Sequence, residues 1–391
     1  MKRFSAQYIL TNAGPPLRRG IVTAQDDGTI TAVEETGGNL SEMESVEFHN
    51  GIIIPGFVNC HCHLELSHMK DMIPPKNGLA EFLRLFRTGR DAVQEKIVFS
   101  ASSADSEMYR DGTVLCADIC NTTNTFELKK SSRIKYMSLL EVFGIDPEKA
   151  VRRLEDIKKI ADSAKSMGID YSIVPHAAYS ISLTLFRLLL NETSSNRITS
   201  MHFMETQEER RFLESHKGPL MDSYIESELI SGNPETVRDH ALAVLEAITL
   251  SGNLILVHNT YADRVTVRKV KERGNLFWCL CPNANLYIEN NLPPVDMLTE
   301  EHCRIVIGTD SLASNNRLSI LEELKTLQQN FPGVSLEDLI RWATLNGAEA
   351  LAENARFGSI QPGKKPGLLL IQDVDLPKMR LLPGSYIKRL I

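Results

Sequence analysis

Short apolar runs set the rhythm of this chain. Eight of them recur between residues 56 and 350: GFVNCHCH, GTVLCADIC, KYMSLLEVF, YSIVPHAA, ITSMHFMET, LILVHNT, NLFWCLCPN and CRIVIGTDS. Each is short, apolar and bounded by breaks, which predicts a strand. Between most of them lie amphipathic stretches such as PEKAVRRLEDIKKIADSAKSMG and DRVTVRKVKERG, with the spacing of helices. Alternating strands and helices imply a parallel sheet. Eight such units over roughly 300 residues match a (β/α)8 barrel of the TIM type. The flanks have another texture. AQYILTN, GIVTAQ, GTITAVEE and SVEFHNGIIIPG, and near the other end FGSIQPGKKPGLLLIQDVD, read as strands between tight turns. The expected architecture is α/β. The barrel spans 56–354, and residues 1–55 plus 355–391 form a small, discontinuous, β-sandwich-like domain.

Composition changes this picture little. The 391 residues are 42% hydrophobic and 24% charged, as in ordinary globular proteins. A net charge of −7, from 43 basic and 50 acidic residues spread along the chain, argues against nucleic acid as a partner. It gives no reason to expect an anionic membrane surface either. No run approaches the ~18 apolar residues of a membrane span. Seven cysteines, an odd number, suit a reducing compartment. The expectation is a soluble, cytoplasmic protein.

In a barrel, chemistry sits where strands end. The first run ends in Cys60, His61, Cys62 and His63. Strand side chains alternate, so His61 and His63 share one face and the cysteines the other. Two imidazoles on one face can ligate one metal ion, although a surface strand with two incidental histidines explains the pair as well. Further runs end in His176, in His202 followed by Glu205, in His258 and in Asp310. Each alone could cap a helix; together at successive strand ends they point to a metal site. His216 and His240 lie in charged, helix-like surroundings and are expected to be exposed, and His302 precedes its strand and belongs at the far end. Cys279 and Cys281 read as buried apolar residues.

These motifs, PGFVNCHCHLELS, HAAYSIS, MHFMETQEE, LVHNTYAD, CPNANLYI and GTDSLASNN with the closing RWATLNGAEAL, resemble the amidohydrolase superfamily, in its deaminase and chlorohydrolase branch. The resemblance covers nearly the whole chain. It implies one divalent metal held by His61, His63, His202 and Asp310, with Glu205 and His258 beside it. Binuclear members carry a modified lysine at the end of strand four, where YSIVPHAAYS has none. Zinc suits the nitrogen and oxygen donors, and ferrous iron is chemically compatible. Such an ion supplies hydroxide near neutral pH. The expected catalytic roles are Asp310 as proton acceptor, Glu205 as proton shuttle to the substrate ring and leaving group, and His258 as hydrogen-bond partner of the attacking oxygen.

His176 is expected to contact substrate, as are Glu65 and His68 at the start of the long connection after the first strand. Arg84, Arg87 and Arg90 could meet an anionic group, and a solvated helix face explains them equally. Pro366 and Gly367 replace the Ala-Asp pair usual in the family's closing motif, a difference confined to the flanking β domain. The pieces HCHLELS and HAAYSIS are most similar to aminofutalosine and adenosine-type deaminases. The expected function is deamination of an amino-substituted N-heterocycle, a 6-aminopurine nucleoside derivative such as aminofutalosine. The alternatives are hydrolysis of a cyclic amide or ring halide at the same ion, and a catalytically dead oligomeric scaffold. The expected partner is a small heterocyclic substrate, and the resemblance implies a homodimer.

Overall fold

All eight apolar runs fold as strands. A computed structural model describes residues 1–39, 45–230, 234–247 and 252–391. In it Phe57–Cys62, Thr113–Cys120, Lys135–Val142 and Tyr171–Pro175 form one parallel sheet in that order. Ile198–Phe203, Asn253–His258, Asn275–Leu280 and Ile305–Ile307 form a second, also parallel. The two half-sheets meet at two seams, each marked by an isolated parallel bridge, Cys62 to Asp310 and Ala177 to His202. At the first seam the amides of Thr309 and Asp310 donate to the His61 carbonyl at 2.9 and 3.0 Å; at the second His202 N–H donates to the His176 carbonyl at 2.8 Å.

The strands read as unbroken apolar runs because both of their faces are covered. Every residue of Phe57–Cys62, Thr113–Cys120 and Ile198–Phe203 is buried. One cluster joins Val58, Leu115, Leu139 and Val174 of the first half-sheet to Ile198, Ile255, Phe277 and Val306 of the second. The connecting helices bury one stripe each. Ala150–Ser166 packs Leu154, Ile157, Ala161 and Ala164, spaced three or four apart, against the core. Arg264–Val270 begins at Asp263, whose side chain accepts the Thr266 amide.

Both chain ends meet in a separate seven-stranded sheet. Its order is Arg380–Arg389, Leu368–Asp375, Val46–Pro55, Lys2–Ile9, Ile21–Ala24 and Ile30–Glu34, with Leu17–Arg18 paired to Lys2–Ile9. Side-chain alternation gives this sheet two covered faces. Ile53 joins Phe4, Val22, Ile30 and Leu370 on one side, and Ile52 and Ile54 pack into the main core on the other. The strand Arg380–Arg389 was not among those expected.

The long connection after the first strand is structured. It contains a helix, Gly78–Gly89, which turns Leu79 and Ala80 inward. Its first amides are held by carboxylates from elsewhere: Leu79 N–H donates to Glu289 Oε1 and Ala80 N–H to Glu208 Oε2, both at 3.0 Å. Among the described residues no helix is long and apolar enough to cross a membrane.

Candidate metal centre

Side chains from both half-sheets converge just beyond the strand ends. His61 and His63 place their Nε2 atoms 3.1 Å apart. Asp310 Oδ1 stands 3.4 Å from the first and 3.3 Å from the second. Donor atoms around a tetrahedral ion at ~2.1 Å are roughly 3.4 Å apart, so this triangle has the spacing of one coordination face. Two imidazole nitrogens and a carboxylate oxygen, all buried, repel one another unless a cation or shared protons lie among them. His61 forms a second such group with His202 and His258. His202 also joins Glu141 and His176 in a third.

His202 lies between two carboxylates, its Nδ1 3.5 Å from Glu205 Oε2 and its Nε2 3.6 Å from Glu141 Oε1. That Nε2, the facing Glu141 oxygen and His61 Nδ1 are buried without a hydrogen-bond partner. A centre that leaves this many polar atoms orphaned is one that a bound ion would complete. Burial alone would lower the His202 pKa, but Glu141 and Glu205 lift it to about 10. Burial pushes His61 down to about 3 and His176 to about 4. Burial also disfavours charge on Glu205, yet His258 and His202 bring its carboxyl down to about 2. Asp310 is held well below the usual carboxylate range, against burial, by His61, His63 and His258.

Each of these side chains is itself held. Ser314 Oγ donates to Asp310 Oδ2 at 2.6 Å, and Tyr179 OH to Glu205 Oε2 at 3.2 Å. Asn285 Nδ2 lies 3.1 Å from His258 Nδ1, and His258 Nε2 faces Glu205 Oε1 at 3.6 Å and His202 Nδ1 at 3.2 Å. His258 and Asp310 both adopt left-handed backbone, at φ 77° and 58°. Strain of that kind persists where surrounding structure enforces it, commonly at functional positions.

Gly308 sits just beyond the eighth strand. A Cβ there would lie 2.8 Å from His61 Cβ and 2.9 Å from Cys279 Sγ. Gly308→Ala is therefore expected to displace His61 and to weaken metal binding by tenfold or more, an order of magnitude set by support around ligands. Chelator competition measures it; unchanged affinity would show that the neighbours yield freely.

The centre opens into a cavity of about 240 Å³. Leu79, Phe82, Leu83 and Phe86 of the helix Gly78–Gly89 line it together with Phe143, Ile145, His176 and Tyr179. His176 stacks on His202, with ring centroids 4.5 Å apart, and its Nδ1 lies 2.6 Å from Ser180 Oγ. Arg87, Arg90, Lys149 and Arg153 line the same cavity. Arg84 does not; it pairs with Glu81 at 2.6 Å on the outer side of the helix.

The structure places Glu65 and His68 outside the residues that line the cavity. Glu65 turns its carboxylate to the amides of Asn121 and Thr122, at 3.0 and 3.2 Å, and to the Thr122 hydroxyl. Both ring nitrogens of His68 meet carbonyls, of Glu65 and Arg90. His240, expected to be exposed, is buried against Glu209 at 2.9 Å, because the charged sequence around it forms a helix whose inner face packs. His216 is half-buried and His302 exposed. Glu141, Tyr179 and Ser314 escaped the sequence reading. A glutamate inside the apolar run KYMSLLEVF was the one available signal for the first of them.

The clasp on the helix Gly78–Gly89 is pH-sensitive. Burial and the neighbouring Glu205 raise the Glu289 carboxyl from 4.5 to about 7. A raised carboxyl pKa favours folding fully below the unfolded value, and this advantage is lost as pH rises through 7. Glu289→Gln, permanently neutral, should match wild type near pH 4 and melt roughly 1 °C or more higher at pH 8. Equal midpoints at pH 8 would contradict the raised pKa.

A model of the amidohydrolase family matches residues 52–384, and the chain belongs to that family. It is a hydrolase of carbon–nitrogen bonds, and its donor cluster suits a divalent ion. Over 364 residues, 88% of this chain and 79% of the relative, it is 24% identical to the 5-methylthioadenosine/S-adenosylhomocysteine deaminase of Pyrococcus abyssi. It is similar to the solved aminofutalosine deaminase of Helicobacter pylori in complex with methylthio-coformycin, with TM-score 0.78, 22% identity, and 95% and 92% of the two chains covered. It is also similar to the zinc complex of atrazine chlorohydrolase from Arthrobacter aurescens, with TM-score 0.72, 16% identity, and 97% and 90% covered. Both likenesses show the shared fold.

Proposed function

We propose that this chain is an aminohydrolase that deaminates an amino-substituted N-heterocycle, a 6-aminopurine nucleoside derivative such as aminofutalosine. In this reading the half-sheets form one barrel over 56–354, flanked by a β domain from residues 1–55 and 355–391. One divalent ion, zinc in the first instance, is held by His61, His63, His202 and Asp310. The observation that carries the proposal is the packing of Glu205 between His202 and His258, next to the His61–His63–Asp310 triangle and on the wall of a largely apolar cavity.

When bound, the ion supplies a water of lowered pKa. The rest belongs to the chain. Asp310, ionised and fixed by Ser314, accepts a proton from the attacking water. Glu205, ionised at rest, takes up the other proton of that water and delivers it to a ring nitrogen, and the proton held on Asp310 then passes through Glu205 to the departing amine. His258 hydrogen-bonds the attacking oxygen. Water adds oxygen to the ring carbon, the carbon–nitrogen bond breaks, and ammonia leaves with an oxo-substituted ring. His176, on the cavity wall, positions the substrate.

The cavity's far end supports a substituent that is apolar along its length and anionic at its tip. Arg90 and Arg153 stand over the rings of Phe86 and Phe143, at 5.4 and 5.8 Å, and Arg87 donates to the hydroxyls of Ser227 and Ser223. Among the described residues none of the three forms a close ion pair with a carboxylate, although the charge of Arg153 reaches Asp156. The decisive experiment is metal analysis followed by an ammonia-release screen with aminofutalosine, adenosine, S-adenosylhomocysteine, guanine and cytosine. Metal-loaded protein that frees ammonia from none of them, or from other purine and pyrimidine amines, would turn the assignment to a cyclic amide or ring halide.

A further inference from the structure

One buried cluster outside the centre has no part in the chemistry above. Lys129, on the short helix Phe126–Ser131 after the second barrel strand, reaches back to the end of that strand. Its Nζ lies 2.6 Å from Asp118 Oδ2, 2.8 Å from Cys120 Sγ and 3.0 Å from Ser138 Oγ. The lysine side chain is 2% exposed and the aspartate 0%. Burial alone would lower the lysine pKa; the Asp118 carboxylate raises it above the ordinary value, so the lysine is charged.

An ion pair this deep is weak evidence for stability, since desolvation offsets most of its attraction. What it does locally is more specific. Asp118 stands beside Cys62 in the strand register, and its free oxygen, Oδ1, accepts the Leu64 amide at 2.7 Å. That amide belongs to the peptide unit between His63 and Leu64. Fixing its N–H fixes the ψ angle of His63, which is 78° with φ at −125°. The bond is short, and Lys129, 2.6 Å from the other carboxylate oxygen, fixes the side chain that makes it. Glu65, bound to the amides of Asn121 and Thr122, pins the next residue to the same strand end.

We propose that Lys129 and Asp118 are positioning residues for the metal centre, holding the exit of the first strand so that the His63 and His61 imidazoles meet one ion. Neither touches a reacting atom. The inference rests on the reading of those histidines as ligands.

The test strips the full chain of metal and titrates it with Co2+ against a competing chelator. The visible absorption of bound cobalt and the thermal midpoint of the metal-free protein are recorded alongside. A wild-type chain that takes up no Co2+ removes the metal-centre reading itself. Given a wild type that binds, Asp118→Leu/Lys129→Met should lose ~10–100-fold in affinity and shift the cobalt bands. Its metal-free midpoint should stay near wild type, because an apolar pair replaces a buried ionic one. Asp118→Asn/Lys129→Met keeps an oxygen for the Leu64 amide and should stay within about threefold of wild type. Wild-type affinity and spectrum in the Leu/Met pair overturn the proposal, and so does an equal loss in the Asn/Met pair. If the Leu/Met pair does not fold, Asp118→Ser/Lys129→Met replaces it, serine being too short to reach that amide, and the same two outcomes decide.

Discussion

Glu205→Gln is expected to lower kcat by about three orders of magnitude, within the ~10²–10⁴ range of general acid–base catalysis. KM, metal content and thermal midpoint should change little. The substitution is nearly isosteric in a buried position, and Tyr179 can still donate to the remaining oxygen. What disappears is the ability to take up and release a proton. In the wild type the group rests ionised, its carboxyl held at about 2 by His258 and His202 against burial, so it is ready to receive one. An amide cannot do this near neutral pH. Steady-state kinetics with metal analysis on the same sample are the check, and a variant with its metal and full turnover removes Glu205 from the scheme.

Removing the ion should be as severe. Prolonged chelation is expected to bring activity to background and to lower the thermal midpoint, and stoichiometric Zn2+ or Fe2+ should restore both. Three buried carboxylates and five buried or half-buried histidines crowd the centre, namely Glu141, Glu205 and Asp310 with His61, His63, His202, His258 and His176. Without a dication their mutual repulsion is relieved only by protons and rearrangement. Ligand binding to the native state alone raises its apparent stability by mass action, so the midpoint should climb with added metal. A chelated, metal-free sample with undiminished turnover would sink the metal-dependent reading altogether.

The strands were legible because burial on both faces leaves a signal that needs no partner to be read. GFVNCHCH and ITSMHFMET are apolar for local reasons, and the histidines at their ends stand out against that background. Arg380–Arg389 was illegible by the same logic. It lies at a sheet edge, mixes exposed and buried positions and contains Pro383 and Gly384, so its strand character comes from pairing with Leu368–Asp375. The helix Gly78–Gly89 was suggested only by arginine spacing, and the structure divides those arginines, Arg87 and Arg90 to the cavity and Arg84 to solvent. Glu65 shows the limit most clearly. A carboxylate two residues after a histidine pair invites a substrate role, and only the position of Asn121 and Thr122, more than fifty residues along, decides where it points. The Lys129–Asp118 pair is tertiary in the same way.

The seam between the half-sheets has a consequence for how the protein is made. His61 and His63 belong to the first four strands, whereas His202 and Asp310 belong to the last four. A ribosome delivers the histidine pair some 250 residues before the aspartate, and two imidazoles alone hold a divalent ion poorly. On the ligand set proposed above, capture of the ion waits until strands of the second half have packed beside the first, which makes it a record that both halves have found each other.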